Sequence, residues 1–158
     1  MAEFNNKNTF IIEDGTREYH FENKFGETIG EIHFRGGDIS ILDRYNELLA
    51  DFDKIVEPLG NVKLKDDGTS SFEADWAVIK SVEAKLIERI NAVFDSRDAS
   101  NLFKNRNAFS TINGEFYVEK VVQALGNVVA QEIAEETEKS KKRLSKYTKD
   151  VEKGTDKK

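Results

Sequence analysis

The most regular pattern of hydrophobic positions lies between residues 70 and 133. In two segments, residues 72–94 and 115–133, apolar side chains recur at intervals of three or four and so share one face of an α-helix. Trp76 belongs to the first of these faces and is expected in the core. The joint between the segments ends in the turn signal Asn-Gly. The pattern predicts a helical hairpin over residues 70–133 with an irregular elbow at residues 95–113.

The first part of the chain has the shorter period of β-strands. Three segments have the composition of strands, namely residues 9–12, 17–22 and 28–35. The second and third alternate apolar and polar residues, so each has one apolar face. Asp-Gly and Gly-Glu signals separate the segments. We predict a three-stranded antiparallel meander over residues 8–36, whose apolar face requires a helix to cover it.

One further helix and a charged tail complete the predicted fold. Apolar residues at spacings of three and four predict a helix over residues 39–58, ended by Pro58 and Gly60. Apolar residues become sparse in the tail, residues 135–158, which we expect to be helical or disordered. The predicted fold is α+β and mostly helical: a single domain, residues 1–134, with the meander and three main helices, followed by the tail.

The composition restricts the class of protein. The chain has 158 residues, of which 34% are charged and 38% hydrophobic, and it contains no cysteine. This is enough chain for one domain with an ordinary core, and disulfides and thiolate catalysis are excluded. No apolar run reaches the roughly 18 residues of a membrane span, and the polar N-terminus is unlike a signal peptide. We expect a cytosolic protein without a membrane partner.

The charges are distributed unevenly along the chain. The net charge is −6, yet the tail contains nine Lys/Arg and six Asp/Glu, which leaves −9 on residues 1–134. An acidic body repels nucleic acid, so we expect no nucleic-acid partner. The tail mixes both signs, as a solvated helix does.

The residues that could carry catalysis or bind metal do not form a recognisable motif. His20 and His33 lie on the polar faces of their strands, and neither has a His, Cys or carboxylate at the spacing of metal ligands along the chain. Nucleophile-elbow and phosphate-loop signatures are also missing from the sequence. We therefore predict a protein that is not an enzyme, with no metal and no cofactor.

The elbow region contains the candidate binding residues. Leu102, Phe103 and Phe109 place large apolar side chains in an otherwise polar segment, and Phe116 follows at the start of the next helix. Such side chains either pack beneath the two helices or remain exposed and contact a partner protein. We take these four residues as the candidate partner-binding set and keep both alternatives open.

Several short segments resemble one known family. They are Ala-Val-Phe-Asp at residues 92–95, Ser-Asn-Leu-Phe at 100–103, Ile-Asn-Gly at 112–114 leading into 116–123, and the tyrosine-bearing helix segment at 43–48. In this order they resemble the tail assembly chaperones of long-tailed bacteriophages that infect Gram-positive bacteria. The chain departs from that pattern at residues 96–98, Ser-Arg-Asp, where those proteins commonly have Phe-Gly-Glu-Gly, and in its longer, lysine-rich tail.

The resemblance implies a non-catalytic function in the host cytoplasm. Proteins of that family bind the aggregation-prone tape measure protein during tail assembly, with tail tube subunits as a second candidate partner, and are absent from the finished virion. Two alternatives remain: a structural tail or connector component of the virion, and a helical adaptor that forms homo-oligomers through its charged tail.

Overall fold

A computed structural model describes residues 8–61 and 72–155, with side chains for 8–60 and 74–146. The start of the predicted hairpin, residues 70–71, and the end of the tail, 156–158, lie outside the described residues. The chain is α+β and mostly helical, as predicted.

The N-terminal sheet is a two-stranded antiparallel ribbon of β1 (Thr16–Glu22) and β2 (Thr28–Arg35). Tyr19 pairs with Ile32 across the ribbon, and the face that carries Ile32 and Phe34 is buried. In the turn between the strands, the Asn23 side chain accepts hydrogen bonds from the backbone N of Phe25 and Glu27, at 2.9 and 3.0 Å. The Asn23 side chain therefore stabilises the turn that was predicted between these two segments.

The third strand of the predicted meander is not present, so this prediction was wrong. Residues 9–12 have no strand structure, and Phe10, Ile11 and Ile12 are 85%, 95% and 84% exposed. Their composition favours a strand, but a strand is stabilised by cross-strand neighbours, and this unbroken apolar run has no alternation that would pair it in register. Gly15, at φ +83°, turns the chain directly before β1.

Three α-helices follow the ribbon. They are α1 (Ile41–Val56), α2 (Phe72–Phe94) and α3 (Tyr117–Thr155). A 3-10 helix, Glu57–Asn61, follows α1, and a second one, Ala99–Phe103, lies in the elbow. The elbow ends in a minimal antiparallel pair of β3 (Thr111–Ile112) and β4 (Glu115–Phe116). Because α3 continues without a break from the domain into the predicted tail, the tail is helical as far as Thr155.

The core lies where the ribbon, α1 and the two longer helices meet. α1 packs against both α2 and α3. The Phe34 ring lies 5.1 Å from that of Tyr19 and 5.6 Å, edge to face, from that of Phe94 at the end of α2. Trp76, predicted for the core, is instead exposed near the start of α2, where the Lys80 ammonium lies 5.6 Å from its ring centre. Within the described residues, no helix combines the length and the apolar character needed to cross a bilayer.

Candidate partner-binding site at the elbow

The elbow begins with a sharp change of direction at the end of α2. Asp95 adopts a left-handed conformation, φ +50°, and the backbone N of Ser96 donates to Asn91 O at 2.9 Å. The Asn91 side-chain oxygen also accepts from Ser96 Oγ at 2.8 Å and from Ala99 N at 2.9 Å. These bonds satisfy polar groups that the end of a helix would leave free, and they lead the chain into the 3-10 helix.

The 3-10 helix of the elbow packs closely on β2. A Cβ atom added at Gly30 would lie 2.6 Å from the backbone oxygen of Asn101, so only glycine allows this approach. Asp98 accepts a hydrogen bond from the backbone N of His33 at 3.1 Å. The ribbon therefore holds the elbow in place through its backbone.

Two of the four candidate residues are part of the core. Leu102 is 2% exposed and Phe103 is 7% exposed. The Phe103 ring lies 5.8 Å from Tyr117, edge to face, and the Tyr117 hydroxyl donates to Leu102 O at 2.9 Å. Burial raises the pKa of the Tyr117 phenol. Because their side chains are packed beneath the helices, Leu102 and Phe103 do not project from the surface.

The other two candidate residues lie at the surface. Phe109 is half-buried and Phe116 is 37% exposed, and their rings meet edge to face at 5.4 Å. The elbow backbone holds this pair at the start of α3, because Tyr117 N donates to Ser110 O at 2.7 Å and Val118 N donates to Ala108 O at 2.8 Å. A partner-binding role for Phe109 and Phe116 stays a prediction that their position permits.

An apolar groove, which neither Phe109 nor Phe116 lines, lies between the turn of the β1–β2 ribbon and the first turns of α3. Its volume is about 280 Å³, and its apolar lining consists of Phe21, Ile29, Leu102, Ile112, Tyr117, Val121 and Ala124. A second cavity of about 400 Å³ adjoins it and shares Ile29, Leu102, Arg106 and Tyr117 with it. We call these two cavities together the elbow groove.

Charged side chains lie at the rim of the elbow groove. Arg106 lines both cavities, and its guanidinium lies 5.8 Å from the Tyr117 ring centre. Lys120 lines the first cavity, and its ammonium is 3.1 Å from a carboxylate oxygen of Glu115. The Glu22 carboxylate also lines the first cavity, so the rim carries both signs of charge. An apolar floor with such a rim can bind an apolar side chain, and the two cations can pair with acidic groups beside it.

The sequence did not indicate the elbow groove, although one of the predicted partner-binding residues, Leu102, lines it. Ile29, Ile112 and Val121 come from the ribbon, the elbow and α3, so only the folded chain brings them together. The alternation in β1 and β2 marked the apolar face of the ribbon, but Ile29 is out of phase with the core-facing apolar residues of β2. It lies at the register shift of the pairing next to Phe21, which the sequence pattern could not show.

Comparison of this chain with protein-family models, with curated proteins and with solved structures gave no match. Function is therefore argued from the geometry of the elbow and from the segments that resemble tail assembly chaperones.

Proposed function

We propose that this protein is a non-catalytic tail assembly chaperone that binds the tape measure protein of a bacteriophage in the host cytoplasm. The observation that carries the proposal is apolar surface next to the segments that carry the resemblance, namely the elbow groove and the pair Phe109 and Phe116. Tail tube subunits are the second candidate partner.

The elbow groove suits an amphipathic helix. Such a helix places apolar residues into a groove at spacings of three and four, and tape measure proteins are long and helical. The apolar floor would accept these residues, and Arg106 and Lys120 at the rim would pair with acidic residues beside them. The net charge of −9 on residues 1–134 would keep the complex soluble.

The proposal is tested by co-expressing the chain with a tagged tape measure protein and measuring how much of it is captured. We expect Phe116→Asp and Arg106→Glu each to reduce capture by about tenfold or more, because the first removes the exposed ring of the aromatic pair and the second reverses a charge at the rim of the groove. Leu42→Asp is the matched control, since Leu42 on α1 is 42% exposed and Phe116 is 37% exposed. Circular dichroism should show the same helical content in all variants.

Two results would contradict the proposal. Undiminished capture by folded Phe116→Asp and Arg106→Glu would reject the elbow groove as the binding site. If the wild-type chain captures no tape measure protein, the chaperone function itself is rejected. Mass spectrometry of purified phage particles provides a separate test, because many copies per virion would indicate a structural tail or connector component instead.

A helical adaptor is the second candidate function, and one observation favours it. Residues 137–146 continue α3 beyond the core and are exposed throughout, including Leu144. An isolated exposed helix offers a surface for another helix. Light scattering on the full chain decides between the functions: a stable oligomer that a chain ending at Lys139 cannot form would favour the adaptor.

A further inference from the structure

The outer face of the β1–β2 ribbon carries a square of four side chains with metal-binding groups. The antiparallel register places Glu18 opposite His33 and His20 opposite Glu31. Because side chains alternate between the faces of a strand, these four residues share one face, opposite the face that enters the core. All four side chains are accessible at the surface, as the alternation predicted for the two histidines.

Three members of this square, Glu18, His20 and Glu31, have donor atoms near the separations that a bound metal requires. His20 Nε2 is 3.4 Å from Glu18 Oε1, and His20 Nδ1 is 3.5 Å from Glu31 Oε2. One ligand atom each from Glu18, His20 and Glu31 can be chosen so that all lie within 4.8 Å of one another. Tetrahedral zinc, with bonds of about 2.0–2.1 Å, separates its ligand atoms by about 3.4 Å, so small side-chain rotations suffice.

The fourth member, His33, is oriented by a carboxylate outside the square. His33 Nδ1 lies 2.7 Å from Asp98 Oδ2, and the same carboxylate accepts from the His33 backbone N at 3.1 Å. A proton on Nδ1 leaves the Nε2 lone pair free, and Nε2 lies 3.6 Å from Glu18 Oε1. A carboxylate that holds the second nitrogen of a histidine is the usual support of a zinc ligand.

We propose that Glu18, His20, Glu31 and His33 bind a zinc ion on the outer face of the ribbon, with Asp98 as the residue that positions His33. Two imidazoles and two carboxylates suit zinc, whereas calcium and magnesium prefer oxygen ligands alone. The bound ion would cross-link β1 to β2. Through Asp98 it would also tie the ribbon to the elbow, on the side of the ribbon turned away from the core.

The sequence prediction of no metal considered only spacing along the chain. His20 and Glu31 are eleven positions apart in the sequence, and only the register makes them neighbours. The same four groups could instead serve only as solvated ion pairs, since protonated histidines beside carboxylates need no metal. Zinc binding distinguishes these two roles.

The proposal is tested by isothermal titration of the full, tag-free chain with zinc chloride. We expect one ion per chain, and at least tenfold weaker binding for His20→Gln and for His33→Gln, since each loses a ligand. Asp98→Asn should weaken binding by about tenfold, because loss of such a supporting group typically costs 10- to 100-fold. Glu27→Gln is the matched control, since this exposed carboxylate lies on the same ribbon outside the square.

Two further measurements distinguish a variant that has lost zinc binding from one that has failed to fold. Cobalt in place of zinc should give the visible absorption bands of a tetrahedral site in the wild-type chain and not in His20→Gln. Zinc should raise the thermal midpoint of Glu27→Gln as much as that of the wild type, and that of the two histidine variants by clearly less. If zinc does not bind, or binds the two histidine variants as tightly as it binds Glu27→Gln, the proposed site is rejected.

Discussion

At Gly126, in the middle of α3, the phenol of Tyr45 approaches the helix backbone so closely that an added Cβ would overlap its hydroxyl oxygen. The same hydroxyl donates to Val122 O at 3.0 Å. A glycine within a helix otherwise costs about 1 kcal/mol relative to alanine. The Tyr45 side chain of α1 therefore occupies the space beside this glycine.

We predict that Gly126→Ala lowers the free energy of unfolding by about 1 kcal/mol, because overpacking of about 1–3 kcal/mol outweighs the gain in helix propensity. In a Tyr45→Phe background, which lacks the hydroxyl, the same substitution should cost close to nothing. A double-mutant cycle by urea unfolding measures this coupling. Equal costs in both backgrounds would show that the hydroxyl is not the obstacle.

Tyr19 gives the protein a predictable sensitivity to alkaline pH. Its hydroxyl donates to Glu132 Oε1 at 2.6 Å, and burial together with this bond raises the pKa of Tyr19 to about 12. In the unfolded chain the pKa of a tyrosine is about 10. The unfolded chain therefore loses this proton first, and stability declines as the pH rises from about 10 towards about 12.

We predict that the difference in unfolding free energy between the wild type and Tyr19→Phe shrinks above about pH 10. Urea unfolding at a series of pH values from 8 upwards measures it. Burial also raises the pKa values of Tyr45 and Tyr117. Both residues are present in the wild type and in the variant, so their contribution cancels in the difference. A difference that stays constant with pH would show that Tyr19 titrates as in the unfolded chain.

At the scale of elements, β1 is joined to α3 by a cluster of charges around Arg17. Its guanidinium lies 2.8 Å from Glu132 Oε1 and 3.0 Å from Glu135 Oε2. Glu132 is buried, and its second oxygen has no hydrogen-bond partner among the described residues. A buried carboxylate is tolerated only while a cation and donors compensate it, so Arg17 decides whether α3 can pack on the ribbon here.

We predict that Arg17→Met destabilises the protein by about 2 kcal/mol, because the buried Glu132 then lacks its cation. Arg35→Met is the matched control on the neighbouring strand. Arg35 lies 3.6 Å from Asp95 and 3.9 Å from Asp14, in solvent-exposed ion pairs that contribute little to stability. If Arg17→Met and Arg35→Met lower the free energy of unfolding equally, the buried charge cluster contributes no more to stability than an exposed ion pair.

The elements also show what the sequence could and could not predict. The helical period gave the bounds of α2 correctly, because that pattern is local and long. Residues 9–12 were misjudged, because strand propensity without a partner does not make a strand. The sequence could not predict which elbow side chains are buried, since Leu102 and Phe109 are both large apolar residues in a polar segment. Leu102 is buried only because of how the distant elements pack. The elbow groove and the metal-binding square depend on strand register and on contacts between distant segments.

At the scale of the whole molecule, α3 connects the elbow groove, the close contact at Gly126 and the charge cluster around Arg17. Its first turns line the elbow groove, its middle receives Tyr45 at Gly126, and Glu132 and Glu135 bind Arg17. Beyond Glu136 the helix leaves the core and is exposed as far as residue 146. The part of α3 that stabilises the fold should therefore end just after the charge cluster.

We predict that a chain ending at Lys139 unfolds within about 0.5 kcal/mol of the full chain. It keeps every carboxylate that Arg17 contacts, and the described side chains that it loses, those of residues 140–146, are all exposed. A chain ending at Ala134 should lose about 1–2 kcal/mol, because Glu135 and Glu136 are gone and Glu132 lies in a fraying last turn. Fluorescence of Trp76, the single tryptophan, reports the transition in both chains. If removal of residues 140–158 alone destabilises the protein, we would conclude that the removed segment packs against another copy, which light scattering at matched concentration would detect.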